Sequence, residues 1–206
     1  MTFWMTYGPD LVAGFVFVAG VSMLTGGDWR WLLLNLALVY AGAAALVALA
    51  WPWSLAATVV VSGWMAASVL GISQRSLEAP LPAERLSAKA LRLLTGLLAG
   101  LLAVVFVPPM ARWLPEMNPS QLWGSVALML LGLWQVGLRS TRPLWVVSGL
   151  LTVLAGFEVL YAVLEQSLLL AGLLALVVVA LALAGSYLVL QQAAEEEVEE
   201  EEELPL

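Results

Sequence analysis

The sequence predicts an all-α integral membrane protein of about seven transmembrane helices, and three observations carry that prediction. The chain of 206 residues is 62% apolar and only 11% charged, whereas a water-soluble domain carries roughly 45–50% apolar and about 25% charged residues. Its mean hydropathy is +0.96, more apolar surface than one small core can hide. Finally, the apolar residues fall into runs near the ~20 residues that a helix needs to cross the hydrocarbon, and no run alternates with the period of two expected of a β-barrel strand.

In order, the spans are expected at Leu11–Thr25, with a start nearer Trp4 for so short a run, then at Trp31–Ala50, Trp53–Ile72, Arg92–Arg112, Leu122–Leu138, Leu144–Leu164 and Leu168–Leu190. Each break has a local cause. Gly26-Gly27-Asp28 ends the first span. Pro52 disfavours helix at Trp51 and can itself open the third span, making a tight turn. A long polar loop runs from Ser73 to Ala90 with Pro80 and Pro82; Pro115, Asn118 and Pro119 part the fourth and fifth spans; Pro143 opens the sixth; Glu165-Gln166-Ser167 parts the last two. The N-terminus lacks the basic region of a signal peptide, the first Arg being Arg30, so the first helix is expected to be retained.

The transmembrane body is placed at residues 1–190 and an acidic, disordered tail at 191–206. The net charge of −7 belongs to that tail: eight Glu lie between Glu195 and Glu203, and without them eight basic residues face seven acidic ones. Like charges at this density disfavour packed structure. Seven crossings put Arg30, Arg75, Arg85, Lys89, Arg92, Arg139 and Arg142 on one side and Arg112 on the other. The positive-inside rule then places the N-terminus outside and the C-terminus in the cytoplasm, in a cell (inner) membrane. Eight of the ten Trp flank spans, as an interfacial belt would; Trp64 and Trp134 sit deeper, where packing against a neighbouring helix is expected.

The chain has no Cys and no His. It cannot by itself build His-held haem, thiolate iron–sulfur clusters or His/Cys zinc sites, nor a Cys nucleophile or a His-based triad. No catalytic, cofactor-binding or metal-ligating residue is expected, and neither an enzymatic role nor a nucleic-acid partner. Glu158, read as lying well inside the sixth span, is the most informative residue. Ionisable side chains within a span are costly and face protein or water, and desolvation favours the neutral acid. Glu158 is therefore either a proton-handling carboxyl or a neutral acid hydrogen-bonded to another helix. Glu165, one heptad later on the same face if the helix continues, is read as a solvated end residue that can extend an outward half-path; Ser148 and Thr152 are weak candidates for the inward half. Gly96 and Gly100 form a GxxxG, Ala67 and Gly71 its small-residue relative, and Gly149 and Gly156 lie seven apart. Such spacings let helix backbones approach closely.

Helices one to three and five to seven read as two units of like orientation, residues 8–75 and 120–190, joined by a linking helix. The second unit carries Leu131-Gly-Leu-Trp-Gln-Val-Gly-Leu-Arg139, then Arg142, then Ala155-Gly-Phe-Glu-Val-Leu-Tyr161. This pattern, a short Arg-containing cytoplasmic turn followed by a Gly-Leu-Glu-like step in the next helix, resembles subunit K of respiratory complex I. It is also similar to membrane component E of group 4 (hydrogenase-4-type) hydrogenases, which the chain's length and extra N-terminal helices fit better. The resemblance implies a non-catalytic membrane subunit of a complex-I-like or hydrogenase-like ion-translocating assembly, embedded in the lipid bilayer beside other integral, antiporter-like subunits. Leu168–Leu190 holds no carboxyl, which favours a packing role over independent proton translocation. The alternatives are a scaffold subunit of another respiratory or photosynthetic membrane complex and a small stand-alone transporter.

Overall fold

The computed structural model describes residues 2–75 and 86–203, with side chains described for 7–74 and 87–195. Its helices are α1 (Thr2–Thr25), α2 (Trp29–Val47), α3 (Trp53–Arg75), α4 (Leu86–Ala111), α5 (Pro119–Leu138), α6 (Pro143–Tyr161) and α7 (Leu168–Glu203). All seven are long and apolar enough to cross a membrane, so the chain is a multi-pass helical membrane protein. Pro80, Pro82 and Arg85 of the polar loop lie outside the described residues.

The turn chemistry explains the helix starts. Asp28 caps α2, its carboxylate accepting from the Arg30 backbone N–H at 3.0 Å. Asn118 does the same for α5 through Ser120 N–H at 3.0 Å, with Pro119 in the first helical turn, where its missing N–H costs nothing. Pro143 opens α6 in the same way. The Pro52 carbonyl accepts from Leu55 and Ala56, starting α3 after the tight turn.

Most boundaries shift by a few residues from the sequence reading, and three of the differences bear on the site, the long polar loop and the tail. First, α6 ends at Tyr161 rather than Leu164, so Glu158 lies in its last turn and Glu165 beyond it, not on a shared helical face. Second, α4 begins six residues before Arg92, at Leu86. Third, the acidic run expected as a disordered tail continues α7 as helix to Glu203. Glu is a good helix former, and an existing helix end removes the cost of nucleation; Gln191 also donates to Glu195 one turn on at 3.1 Å.

The helices pack as two rows. α1, α2 and α3 are neighbours in sequence and space, as are α5, α6 and α7, and α1 lies on α5, α2 on α6 and α3 on α7. α4 flanks α1 and α5 at one end. α2 and α6 are the most enclosed, while α4 and α7 turn most of their surface outward, presenting Leu94, Leu101 and Val105 on α4 and Leu169, Leu176 and Leu183 on α7. Those faces meet lipid or another apolar chain.

Hydrophobic burial does not drive helices together inside lipid, so close backbone approach must. The tightest seam is α5–α6. A Cβ on Gly132 would sit 2.5 Å from the Gly149 carbonyl oxygen, and one on Gly149 2.9 Å from that of Gly132. Gly156 faces the Ser125 carbonyl, 2.7 Å from its would-be Cβ. Gly96 and Gly100 admit Val21 and Phe17 of α1 against α4. Gly96, Gly100, Gly149 and Gly156 thus lie at helix contacts, and the fifth glycine singled out from sequence, Gly71, meets Leu33 of α2, 3.4 Å from its would-be Cβ. The Trp residues are less uniform. Trp53 and Trp113 are exposed, but Trp51 and Trp145 are buried. Trp64 is half-exposed rather than enclosed, although its indole N–H reaches the Ala37 carbonyl of α2 at 3.1 Å. Trp4 lies outside the described side chains.

Candidate functional site

Glu158 occupies the junction of α3, α6 and α7 and is only 3% exposed. Its Oε2 has no hydrogen-bond partner, which speaks against an acid bonded through that oxygen to a neighbouring helix. The carboxyl instead borders a cavity of about 10 Å³ lined also by Trp51, Thr58, Val59, Ser62, Ala171, Leu174 and Ala175. That is about the space one water needs.

The polar lining has a definite sense. Thr58 Oγ1 donates to the Leu55 carbonyl at 2.7 Å, and Ser62 Oγ donates to the Val59 carbonyl at 3.1 Å. The Trp51 indole N–H donates to the Glu165 carbonyl at 3.0 Å. The donors of these three side chains are therefore committed, and the two hydroxyls offer lone pairs. Below the cavity, Tyr40 is fully buried and donates to the Leu151 carbonyl of α6 at 3.0 Å. Its ring passes α3 at Gly63, where a Cβ would collide with it.

Glu165 does not join this site. Its side chain is exposed, and its role is played by the backbone: with the Trp51 bond, the Gln166 side-chain amide donating to the Ala50 carbonyl at 2.7 Å ties the α6–α7 loop to the α2–α3 turn. Ser148 and Thr152 are equally occupied elsewhere. Gln135 donates to Ser148 Oγ at 2.7 Å and to the Trp145 carbonyl at 3.1 Å. Ser148 donates to the Trp145 carbonyl at 3.0 Å and Thr152 to the Ser148 carbonyl at 2.8 Å. Arg139 closes this end: buried, it donates to the Gly26 carbonyl at 2.8 Å and lies 4.9 Å from the centre of the Trp145 ring. Arg139→Leu is expected to lower thermal stability more than Arg30→Leu, whose side chain is exposed, because it strips a carbonyl of a charge-assisted bond. A melting comparison in one detergent checks this.

Sequence reasoning missed Tyr40, Gln135 and Gly132, and it read Arg139 as a turn residue without its burial against Gly26. Gln135 and Tyr40 carried a signal, being polar groups within apolar spans, but nothing local named their partners. Among the described residues no group of three or more His, Cys, Asp or Glu could hold a metal ion. A second, wider cleft of about 450 Å³ opens between α1, α4 and α5, lined mainly by Ala13, Val104, Val107, Pro108 and Trp123, with Asp10 accepting from the Ser120 hydroxyl at its edge. No protein-family model, no curated protein and no solved structure matches this chain.

Proposed function

We propose that the chain is a non-catalytic subunit of a complex-I-like or hydrogenase-like ion-translocating membrane assembly, packing beside antiporter-like subunits, with its N-terminus outside and its C-terminus cytoplasmic. One observation carries the preference for a packing subunit over a stand-alone transporter. Gln135 at the end of α5 donates across the helix contact to Ser148 and the Trp145 carbonyl, while Ser148 and Thr152 donate to carbonyls of their own helix, so the polar groups of this half of α6 are already engaged. A transporter generally needs broken helices or free polar groups near the midplane. The broad apolar faces of α4 and α7 supply surface for neighbouring subunits, and the seven-to-one distribution of basic residues supports the orientation.

Purification from its native membrane in mild detergent tests the reading. Co-elution with large multi-span, antiporter-like proteins is expected; a chain that elutes alone and moves ions when reconstituted would reject it. For the orientation, protease added to right-side-out vesicles should spare residues 195–203, and cleavage there without lysis would reverse the assignment. Removing residues 195–206 should leave the melting temperature of the purified chain unchanged, because the run lies beyond the apolar spans and its charges repel.

A further inference from the structure

We propose that the cavity beside Glu158 binds one small monovalent cation, Na⁺ or Li⁺. The inference stands apart from the subunit reading, since it rests on the chemistry of this cavity alone. A carboxyl enclosed by apolar residues is kept neutral by a proton or by a bound cation. Here Oε2 has no hydrogen-bond partner, and the Glu158 side chain borders a cavity that a small cation can occupy. The side chains lining that cavity offer oxygen and no free donor. The hydrogens of Thr58 and Ser62 point to their own helix carbonyls, and the Trp51 N–H is held by the Glu165 carbonyl. Nearby Tyr40 donates to Leu151 and is likewise engaged. A carboxylate and two hydroxyl oxygens form a hard, all-oxygen ligand set, which suits a hard cation.

The remaining lining fixes size and strength. Val59, Ala171, Leu174 and Ala175 line the space with apolar groups, and low polarity strengthens attraction between carboxylate and cation. About 10 Å³ admits one water-sized body. A dehydrated Na⁺ or Li⁺ is smaller than water and leaves room for its ligands to close in, whereas K⁺ is about as large as water. Thr58 and Ser62 stand four apart on α3, on one face, and Ala171 and Ala175 repeat that spacing on α7. The cation would therefore link α3 to α6, with α7 lining the site through alanine methyls, and the Trp51–Glu165 and Gln166–Ala50 bonds join the neighbouring turns at this end of the bundle.

The test uses the full chain in lipid nanodiscs, with radioactive ²²Na⁺ binding and melting temperature both read at constant ionic strength against choline chloride. Saturable binding of one Na⁺ per chain is expected, with a rise in melting temperature that Li⁺ reproduces and K⁺ does not. Glu158→Gln should abolish the binding, and Ser62→Ala and Thr58→Val should each weaken it about tenfold, equivalent to about 1.4 kcal/mol. No saturable Na⁺ binding by the unaltered chain would overturn the proposal, as would wild-type affinity in folded Glu158→Gln. Should Glu158→Gln not fold, Ser62→Ala and Thr58→Val decide the matter: wild-type Na⁺ affinity in both overturns it, and about tenfold loss in either supports it.

Discussion

Gly132→Val is expected to abolish the folded state. A Cβ at that position would stand 2.5 Å from the Gly149 carbonyl oxygen and 2.7 Å from the Val153 backbone nitrogen. Both are main-chain atoms of α6, so no rotamer change relieves the clash; the helices must separate. Separation would also pull apart Gly149, Gly156 and the Gln135–Ser148 bond of 2.7 Å, which lie along the same seam. Overpacking typically costs about 1–3 kcal/mol and more where backbone must move, and this seam joins the two most closely packed helices. Loss of the monodisperse peak in size-exclusion chromatography is therefore expected. Gly137→Val, on the same helix with nothing within 4 Å of its would-be Cβ, should purify normally and serves as the control for β-branching. A well-folded Gly132→Val protein would show that the seam tolerates separation.

Much of the fold was legible because hydrocarbon imposes a simple length requirement on any crossing helix. Pro52 and Pro143 marked helix starts because ring geometry acts locally, whereas Pro119, read only as part of a break, opens α5 three residues before the expected Leu122. The glycines at 96, 100, 149 and 156 were also legible as contact residues, since small-residue spacing is a local pattern. Their partners were not. Gly132 matters because it meets Gly149 across a turn, and no spacing within either helix states that encounter.

The site was legible in its central residue and misplaced in its depth. Glu158 stood out as the carboxyl within an apolar run, but extending α6 to Leu164 put it too far from the helix end and joined it to Glu165. The helix stops at Tyr161 because the loop beyond is held elsewhere, by Trp51 on the Glu165 carbonyl and Gln166 on the Ala50 carbonyl. Those bonds bridge more than a hundred residues and leave no periodic trace in the sequence. The same holds for Thr58 and Ser62, ordinary small polar residues until α3 is laid against α6. The acidic run was misread in the other direction: charge density argued against structure, while the helix already growing from Leu168 carried the backbone on.

The second large effect is expected at the crossing of Tyr40 and Gly63. Tyr40 is fully buried and spans two contacts, its hydroxyl on the Leu151 carbonyl of α6 and its ring against the bare backbone of α3 at Gly63. Tyr40→Phe removes only the hydrogen bond and should cost about 1 kcal/mol, the usual worth of an interhelical bond in membranes. Tyr40→Ala removes the ring as well and should cost about 3–5 kcal/mol, as large-to-small changes of buried aromatic residues do. Gly63→Ala fails for the opposite reason, because its methyl would lie on the Cβ, Cγ and Cδ1 atoms of Tyr40, atoms near the backbone that a side-chain rotation cannot carry far. Each single change therefore perturbs the same space, one by emptying it and one by overfilling it. In the double variant the new methyl enters the space that the ring vacated, so the loss should fall short of the sum by about 0.5–3 kcal/mol, the coupling seen between touching residues. Equilibrium unfolding in one mild detergent, applied to the three proteins and the parent, measures that shortfall. Additive losses would mean that the ring and the glycine do not share this contact, and that α2 is held to α3 by something other than the Tyr40–Gly63 fit.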